Sequence, residues 1–366
     1  MKLRKVAVLG STGSIGVQAL EVIAKSEYLQ LDSIICGSSV DKLEVQKQQY
    51  SPGFAACANG SDNNEDKILY KAIKSADIVL NAIVGSAGLK ASLISQELNK
   101  PLALANKESL VIGSELLQKH LSAGLVIPVD SEHSTIFRCL QGEARPVKSI
   151  TLTASGGALR STPIDQIYNA TPEQVLKHPT WNMGGRITVD SASMVNKAFE
   201  VLEAKALFPR IPIDVVIHKS SIVHSFIESA DGAWKALMGL PDMKIPIAWA
   251  LNYPNLPTDI IASEKPTEWG ELSFDMMEEK KYPAFYSVLY AGEKGGIVPT
   301  AANAADEIAV DAFLKKQLPF GEIGTVISEV VNNTKVEPVK DFSHIQSTDT
   351  SARFYARKVV NEICSQ

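Results

Sequence analysis

The chain has 366 residues, 45% hydrophobic and 21% charged, an ordinary globular composition with room for about two or three domains. Its formal net charge is −5 and no basic run stands out, which argues against a nucleic-acid partner. No apolar run is long enough to cross a bilayer, Met1–Lys5 lead into an apolar strand without a signal-peptide pattern, and the four cysteines lack CxxC or zinc-type spacing, so a cytoplasmic chain with free thiols is expected.

Residues 6–130 alternate short apolar strands with helices. Strands are predicted at Val6–Leu9, Leu31–Cys36, Phe54–Ala58, Ile78–Ile83, Leu102–Ala105 and Val126–Asp130. Between the first two, Ile15–Ala24 sets Ile15, Ala19, Leu20 and Ile23 on one helix face. That alternation implies a parallel sheet covered on both sides. The first strand runs straight into Gly10-Ser-Thr-Gly-Ser-Ile-Gly16, which opens the helix. Strand, glycine turn and helix N-terminus in that order suit a dinucleotide, because glycine permits close approach and the helix amides face the pyrophosphate. The spacing is GxxGxxG rather than GxGxxG, and a plain tight strand-to-helix turn is the competing reading. The second strand ends in Cys36-Gly37-Ser38-Ser39, with no acid for a ribose 2′-hydroxyl. Hydroxyls, open backbone and Lys42 suit a 2′-phosphate better, so NADPH is the expected cofactor.

Asn106-Lys107-Glu108 follows the fifth strand and Asp130-Ser131-Glu132 the sixth, where open α/β sheets bind ligands. Glu108 has an equally good reading as a partner of a helix N-terminus, whereas Lys107 gains nothing there and points to a ligand. Asp130 and Glu132 suit a hard cation such as Mg²⁺ or Mn²⁺, although solvated acids explain most such pairs. Beyond Ser149 the pattern becomes α+β, with strands at Ile150–Ala154, Ile213–His218, Ser221–Glu228 and Trp234–Met238. Ala154-Ser155-Gly156-Gly157 offers a hydroxyl and close-approach backbone to a phosphate. His178–Gly185 mixes breakers with Trp181 and ends in paired glycines, the pattern of a mobile lid; core packing of Trp181 and a structural His178 compete with it. Asn196 and Glu200 share a helix face beside Lys197, the alternative being a surface ion-pair helix. Pro241–Pro266 reads as a connection. Helical periods then run through Ala304–Ala312, Ile323–Val330 and Ala356–Ile363, a small bundle.

The blocks GSTGSIG, NKE, VDSEHS, ASGGAL, HPTWNMG, VDSASMVNKAFE and MGLPDMKIPI together resemble the 1-deoxy-D-xylulose 5-phosphate reductoisomerase family, over nearly the whole chain. The resemblance implies a Rossmann-like NADPH-binding domain over residues 1–129 and a central α+β catalytic and dimerisation domain over 130–252. A connecting segment, 253–282, and a C-terminal helical bundle, 283–366, complete it. It implies NADPH phosphates at Thr12, Gly13, Ser14 and Ile15, the adenosine ribose near Gly37, Ser38 and Ser39, and further cofactor contacts at Asn106, Glu108 and Gly184. Asp130, Glu132 and Glu200 would ligate the metal. Lys107 and Ser131 would meet the reacting part of the substrate, with Lys107, Glu132, Asp130 and Glu200 as the catalytic set. Ser155, His178, Ser191, Asn196 and Lys197 would grip its phosphate under a lid holding Trp181 and Met183. It implies a cytoplasmic homodimer.

Some positions depart from the family's commonest form. Gly184-Gly185-Arg186 stands where a lysine usually precedes the isoleucine, His218-Lys-Ser replaces His-Pro-Gln, and Ala198 replaces a frequent glycine. The expected chemistry is a metal-assisted carbon–carbon rearrangement to a branched aldehyde, reduced by NADPH to 2-C-methyl-D-erythritol 4-phosphate, with Glu132 as a proton shuttle. Other readings are a semialdehyde or homoserine dehydrogenase, which needs a catalytic Cys or a different lysine arrangement and no Mg²⁺, and a non-catalytic NADPH-sensing module.

Overall fold

The computed structural model of the protein describes residues 3–58, 64–181, 184–255 and 264–365; Met183 of the expected lid lies outside them. The chain forms two compact units. Met1–Leu110, Ser114–Ala144 and Asp242–Glu268 make the first, and Val111–Gly113, Arg145–Pro241 and Trp269–Gln366 the second.

The first unit is built on β1 (Arg4–Leu9), β2 (Leu29–Cys36), β3 (Phe54–Cys57), β4 (Ile78–Asn81), β5 (Leu102–Leu104) and β6 (Val126–Pro128). They form one parallel sheet in the order β3-β2-β1-β4-β5-β6. The helices are α1 (Ser14–Lys25), α2 (Val40–Tyr50), α3 (Glu65–Ser75), α4 (Gly88–Glu97), α5 (Glu108–Gly113), α6 (Gln118–Ser122) and α7 (Ser131–Leu140). Val6, Ala7, Val8 and Leu9 are all fully buried, as a strand covered on both faces requires. The expected strands are all present, each within a few residues of its predicted ends.

The proline-spaced stretch after Pro241 departs from expectation. Lys244–Asn252 is a helix, α12, in the first unit, and Ile247–Leu251 join the core formed by β1, α1 and β6. Pro246 sits in its first turn, where the missing N–H costs nothing, so the breaker does not break. The first compact unit thus reaches Ala144 and takes back 242–268, whereas the expected boundaries fell at 129 and 252. Each buried aliphatic side chain contributes about 1.5–3 kcal/mol over an exposed one, enough to hold this returning helix.

In the second unit, β7 (Val147–Ala154), β8 (Ile213–Ile217), β9 (Val223–Ser229), β10 (Trp234–Met238) and β11 (Asp275–Met276) form a sheet ordered β10-β9-β7-β8-β11. Only β7 and β8 pair in parallel. The predicted strand Ser221–Glu228 is interior as β9, with β10 and β7 on its two sides, and β10 and β11 are the edges. Lateral order is set by long-range pairing, which strand-forming residues do not encode. Along β9 burial alternates strictly, so the sheet covers one face and leaves the other open. Short α8 (Ile164–Ile167) and α9 (Pro172–Val175) lead to α10 (Gly185–Ser193) and α11 (Val195–Leu207). The helices α13 (Pro283–Lys294), α14 (Val298–Leu314), α15 (Ile323–Asn333) and α16 (Phe342–Cys364) belong to this same unit.

A charge cluster ties α10 to that bundle. Arg186 Nη1 lies 2.7 Å from Glu307, Nη2 3.2 Å from Asp306 and Nε 3.5 Å from Asp190, and Arg353 bridges Glu307 and Asp349. The fan of Arg186 onto acids of α10 and α14 needs the planar guanidinium fork, which a lysine lacks.

In the first unit the glycine turn is equally demanding. Gly10 has φ +84°, and a Cβ there would lie 2.3 Å from the Ala82 carbonyl oxygen beyond β4. Left-handed strain costs about 1–3 kcal/mol, and the backbone clash adds to it, so Gly10→Ala is expected to lower the unfolding free energy by about 2 kcal/mol or more. Urea unfolding measures it; an unchanged midpoint would contradict this account of the turn.

Candidate active site

In the first unit the positions predicted for a site gather at the carboxyl ends of the strands. The turn after β1 is fixed by Gly10 and by Gly16, whose added Cβ would lie 2.3 Å from the Gly10 carbonyl oxygen. Gln46 of α2 braces it from outside, donating to the Ser11 carbonyl at 2.8 Å. Gly13 is the N-cap of α1 and makes no side-chain cap bond; Gly13 and Ser14 are exposed, Thr12 half-buried. Ile15 packs its side chain on the core, leaving its backbone toward the turn. After β2, Gly37 and Ser38 are exposed and Ser39 occupies the N-cap position of α2 without a side-chain cap bond. This is an open helix N-terminus beside a small hydroxylated loop, the shape a dinucleotide phosphate requires.

Asn106 and Glu108 serve the scaffold. Asn106 donates to the Gly85 carbonyl at 3.0 Å and to Glu108 at 2.7 Å, and accepts from the Ser109 backbone N–H at 3.0 Å. Glu108 accepts from the Gly85 N–H at 3.1 Å. Together they hold the loop after β4 against the start of α5.

Lys107 is the N-cap of α5, and its Nζ lies 2.8 Å from Asp130 Oδ2 at the start of α7. Burial alone would raise the Asp130 carboxyl, but the Lys107 ammonium, aided by His133 at 4.0 Å, holds it well below the usual range. Asp130 and Glu132 offer carboxylate oxygens within 4.8 Å of each other, and Ser131 donates to Glu132. The pair needs only oxygen ligation, which suits a hard divalent cation rather than zinc.

In the second unit the predicted anion-binding residues also meet. His178 Nε2 lies 3.0 Å from Ser155 Oγ and 3.1 Å from Ser191 Oγ. His178 Nδ1 accepts the backbone N–H groups of Trp181 at 2.9 Å and Thr180 at 3.2 Å. That assigns the ring proton to Nε2, facing the hydroxyls. Burial, with Arg160 nearby, lowers the His178 pKa to about 4, so the ring is neutral at pH 7. Ser191 reaches the cluster because Gly157, at φ +68°, has no side chain to strike the α10 backbone; a Cβ there would lie 2.5 Å from the Ser191 carbonyl oxygen. On α11, Lys197 and Glu200 are both buried, and both Asn196 and Lys197 donate to Glu200. Trp181 is half-buried, its ring 6.3 Å from that of His224, and Gly184 is the exposed N-cap of α10.

Three supporting residues escaped the sequence reading. Arg160 donates to the carbonyls of Ser155 at 3.1 Å and Lys219 at 2.8 Å, fixing the Ser155 loop. His133 is fully buried beside Asp130, and its signal was the i,i+3 spacing on α7. Gln46 carries no motif, and its role depends on packing between two non-adjacent segments.

Comparison with known proteins gives one answer along the chain. Family models for 1-deoxy-D-xylulose 5-phosphate reductoisomerase match residues 6–114, and models for its C-terminal domains match 126–208 and 238–355. The chain is 40% identical to the 1-deoxy-D-xylulose 5-phosphate reductoisomerase of Thermodesulfovibrio yellowstonii, over 98% of this chain and all of that one. It is 38% identical to that of Halothermothrix orenii, over 98% and 99%. Among solved structures, a reductoisomerase in complex with NADPH, fosmidomycin and magnesium matches with a TM-score of 0.91 at 30% identity, covering 99% of each chain. The Zymomonas mobilis enzyme in complex with NADPH gives 0.89 at 32%, covering 98% and 99%. With relatives this similar over their whole length, the chain belongs to the 1-deoxy-D-xylulose 5-phosphate reductoisomerase family.

Proposed function

We infer that this chain, an NADPH-dependent oxidoreductase by family, uses Asp130, Glu132 and Glu200 to hold a divalent ion, Mg²⁺ or Mn²⁺, while it converts 1-deoxy-D-xylulose 5-phosphate into 2-C-methyl-D-erythritol 4-phosphate for isoprenoid-precursor synthesis. The observation that carries the reading is the acidic pair Asp130–Glu132 beside the Lys107 ammonium, at the carboxyl end of a parallel sheet. Glu200 enters as third ligand through the family resemblance, supported by its burial between the donors Asn196 and Lys197. When bound, the ion acts as a Lewis acid and template on the substrate's ketone and neighbouring hydroxyl.

The chain's own groups do the rest. Thr12, Gly13, Ser14 and Ile15 receive the NADPH phosphates, and Gly37, Ser38 and Ser39 the 2′-phosphorylated ribose; Asn106, Glu108 and Gly184 complete the cofactor contacts. Lys107 stabilises negative charge developing on substrate oxygen, and Ser131 orients the reacting carbons. Glu132 shuttles the proton. Ser155, Ser191, Asn196 and Lys197 grip the phosphate, with His178 donating from Nε2 and Trp181 excluding water. Holding the phosphate remote from the reacting carbons turns its binding energy into alignment. Residues 1–129 are read as the cofactor domain, 130–252 as the catalytic and dimerisation domain, and 283–366 as the helical domain, joined through 253–282.

Among the described residues no helix is long and apolar enough to cross a membrane. A cytoplasmic homodimer fits the open sheet face, where Phe226 packs on the exposed rings of Trp234 and Phe274.

Asp130→Asn and Glu200→Gln are each expected to lower kcat/KM by about 10²-fold or more with Mg²⁺ present. Coupled NADPH oxidation with 1-deoxy-D-xylulose 5-phosphate measures this, and EDTA should stop the parent enzyme. Near-parental turnover by either variant would remove that residue from the ligand set.

His178 gives a pH signature. Its folded pKa, about 4, lies below the unfolded value near 6.5, so the unfolded chain binds more protons between these limits. Stability from this group is therefore complete above about pH 6.5 and falls as pH drops toward 4. His224, also lowered to about 4 by burial, adds to the same slope. His178→Gln should flatten the slope of unfolding free energy against pH by one residue's share. An unchanged slope would mean that His178 titrates normally in the folded chain.

A further inference from the structure

We propose that Cys36 and Cys57 form an oxidisable dithiol beneath the Gly37–Ser39 loop, closing to a disulfide on reaction with a hydroperoxide and so altering NADPH binding. Cys36 ends β2, Cys57 ends the neighbouring β3, and the two are direct partners in the parallel register. Their sulfurs lie 2.9 Å apart. Adjacent strands run about 4.8 Å apart, inside the roughly 4.4–6.8 Å Cα window of a disulfide. Little backbone movement is therefore needed.

The pair is asymmetric. Cys57 is half-buried and Cys36 fully buried. Burial and the Cys57 contact push the Cys36 thiol up to about 12. Cys57 is therefore the group that meets the oxidant and Cys36 the one that resolves it. The Cys57 thiolate attacks the peroxide O–O bond, giving a sulfenic acid and releasing hydroxide. The Cys36 sulfur then displaces the sulfenic oxygen, which leaves as water with the thiol proton. Two thiols and one hydrogen peroxide become one disulfide and two waters, the sulfurs losing the two electrons that the peroxide oxygens gain.

The link to the cofactor is local. The Cys36 thiol donates to the Gly37 carbonyl at 3.8 Å, and the Ala58 N–H donates to the Cys36 carbonyl at 2.8 Å. Drawing that sulfur onto Cys57 changes the loop proposed to receive the 2′-phosphorylated ribose. The coupling rests on that reading of the loop; the thiol chemistry does not.

The test uses the full-length chain carrying Cys364→Ser, which removes the exposed thiol as a source of inter-chain bonds. After hydrogen peroxide, thiol titration of the denatured chain should fall from three groups to one, and the intact mass should drop by two hydrogens with no added oxygen. Peptide mapping should join Cys36 to Cys57. NADPH fluorescence titration should show an affinity change of about fivefold or more, reversed by dithiothreitol. Cys57→Ser should abolish both the bond and the shift. Persistence of both thiols, or oxidation of Cys57 to sulfinic acid without a disulfide, would overturn the proposal. A disulfide with unchanged NADPH affinity would overturn the coupling. A reduced chain that fails to bind NADPH would instead refute the dinucleotide reading, leaving the thiol result standing.

Discussion

A carboxylate taken out of water needs a counter-charge, and that requirement organises both halves of the proposed chemistry. Stripping an ion of its water costs several kcal/mol, so a buried acid without a cation protonates or unfolds the chain. Asp130 is held by Lys107, and Glu200 by Lys197 with Asn196 alongside. These lysines are also the residues proposed to meet the anionic substrate. A cation that balances an acid in the ligand-free chain is already positioned for a ligand, and little side-chain ordering remains for binding.

Ser191 shows how a site is fixed by constraints of different kinds. Hydrogen bonding through His178 joins it to Ser155. Close approach, made possible by Gly157, sets its helix against the Ser155 loop. Ion pairing through Arg186, five residues earlier on α10, ties that helix to α14. The neutral ring of His178 fits this arrangement, since it bridges a backbone donor and a hydroxyl by accepting on one nitrogen and donating from the other. Protonated, it would lose the bonds from Trp181 and Thr180 that define the stem of the expected lid. Arg186, a departure from the family's usual lysine, acts here as an anchor.

Much of the first unit was legible because its signals are local. Apolar runs, glycine turns and helix faces are each written in a few adjacent residues, and the sheet strands follow from them. What could not be read depends on distant partners. Lys244–Asn252 looks like part of a connection because it contains a proline and lacks a polar face, yet a helix buried all round has no reason to be amphipathic. The place of β9 inside its sheet is decided by β7 and β10, not by its own residues. Lys107, Asp130 and Glu132 were legible from their position after strands. Arg160 and Gln46 were not, because each works by reaching a backbone carbonyl far away in sequence.

The unusual spacing of the glycine loop has a structural reason. A dinucleotide turn asks glycine for three things: a tight turn, an open backbone facing the phosphates, and room for helix against strand. Here Gly10 supplies the first, with its positive φ and its approach to the Ala82 carbonyl. Gly13 supplies the second as the N-cap of α1, where an added Cβ would meet only the Gly10 carbonyl, at a tolerable 3.4 Å. Gly16 supplies the third, since a side chain there would strike the Gly10–Ser11 backbone. Two residues between Gly10 and Gly13, rather than one, give the turn room for Ser11, whose carbonyl Gln46 then braces. The three duties survive the altered spacing because each glycine answers to its neighbours in space, so the tight positions at Gly10 and Gly16 constrain the sequence more than Gly13 does.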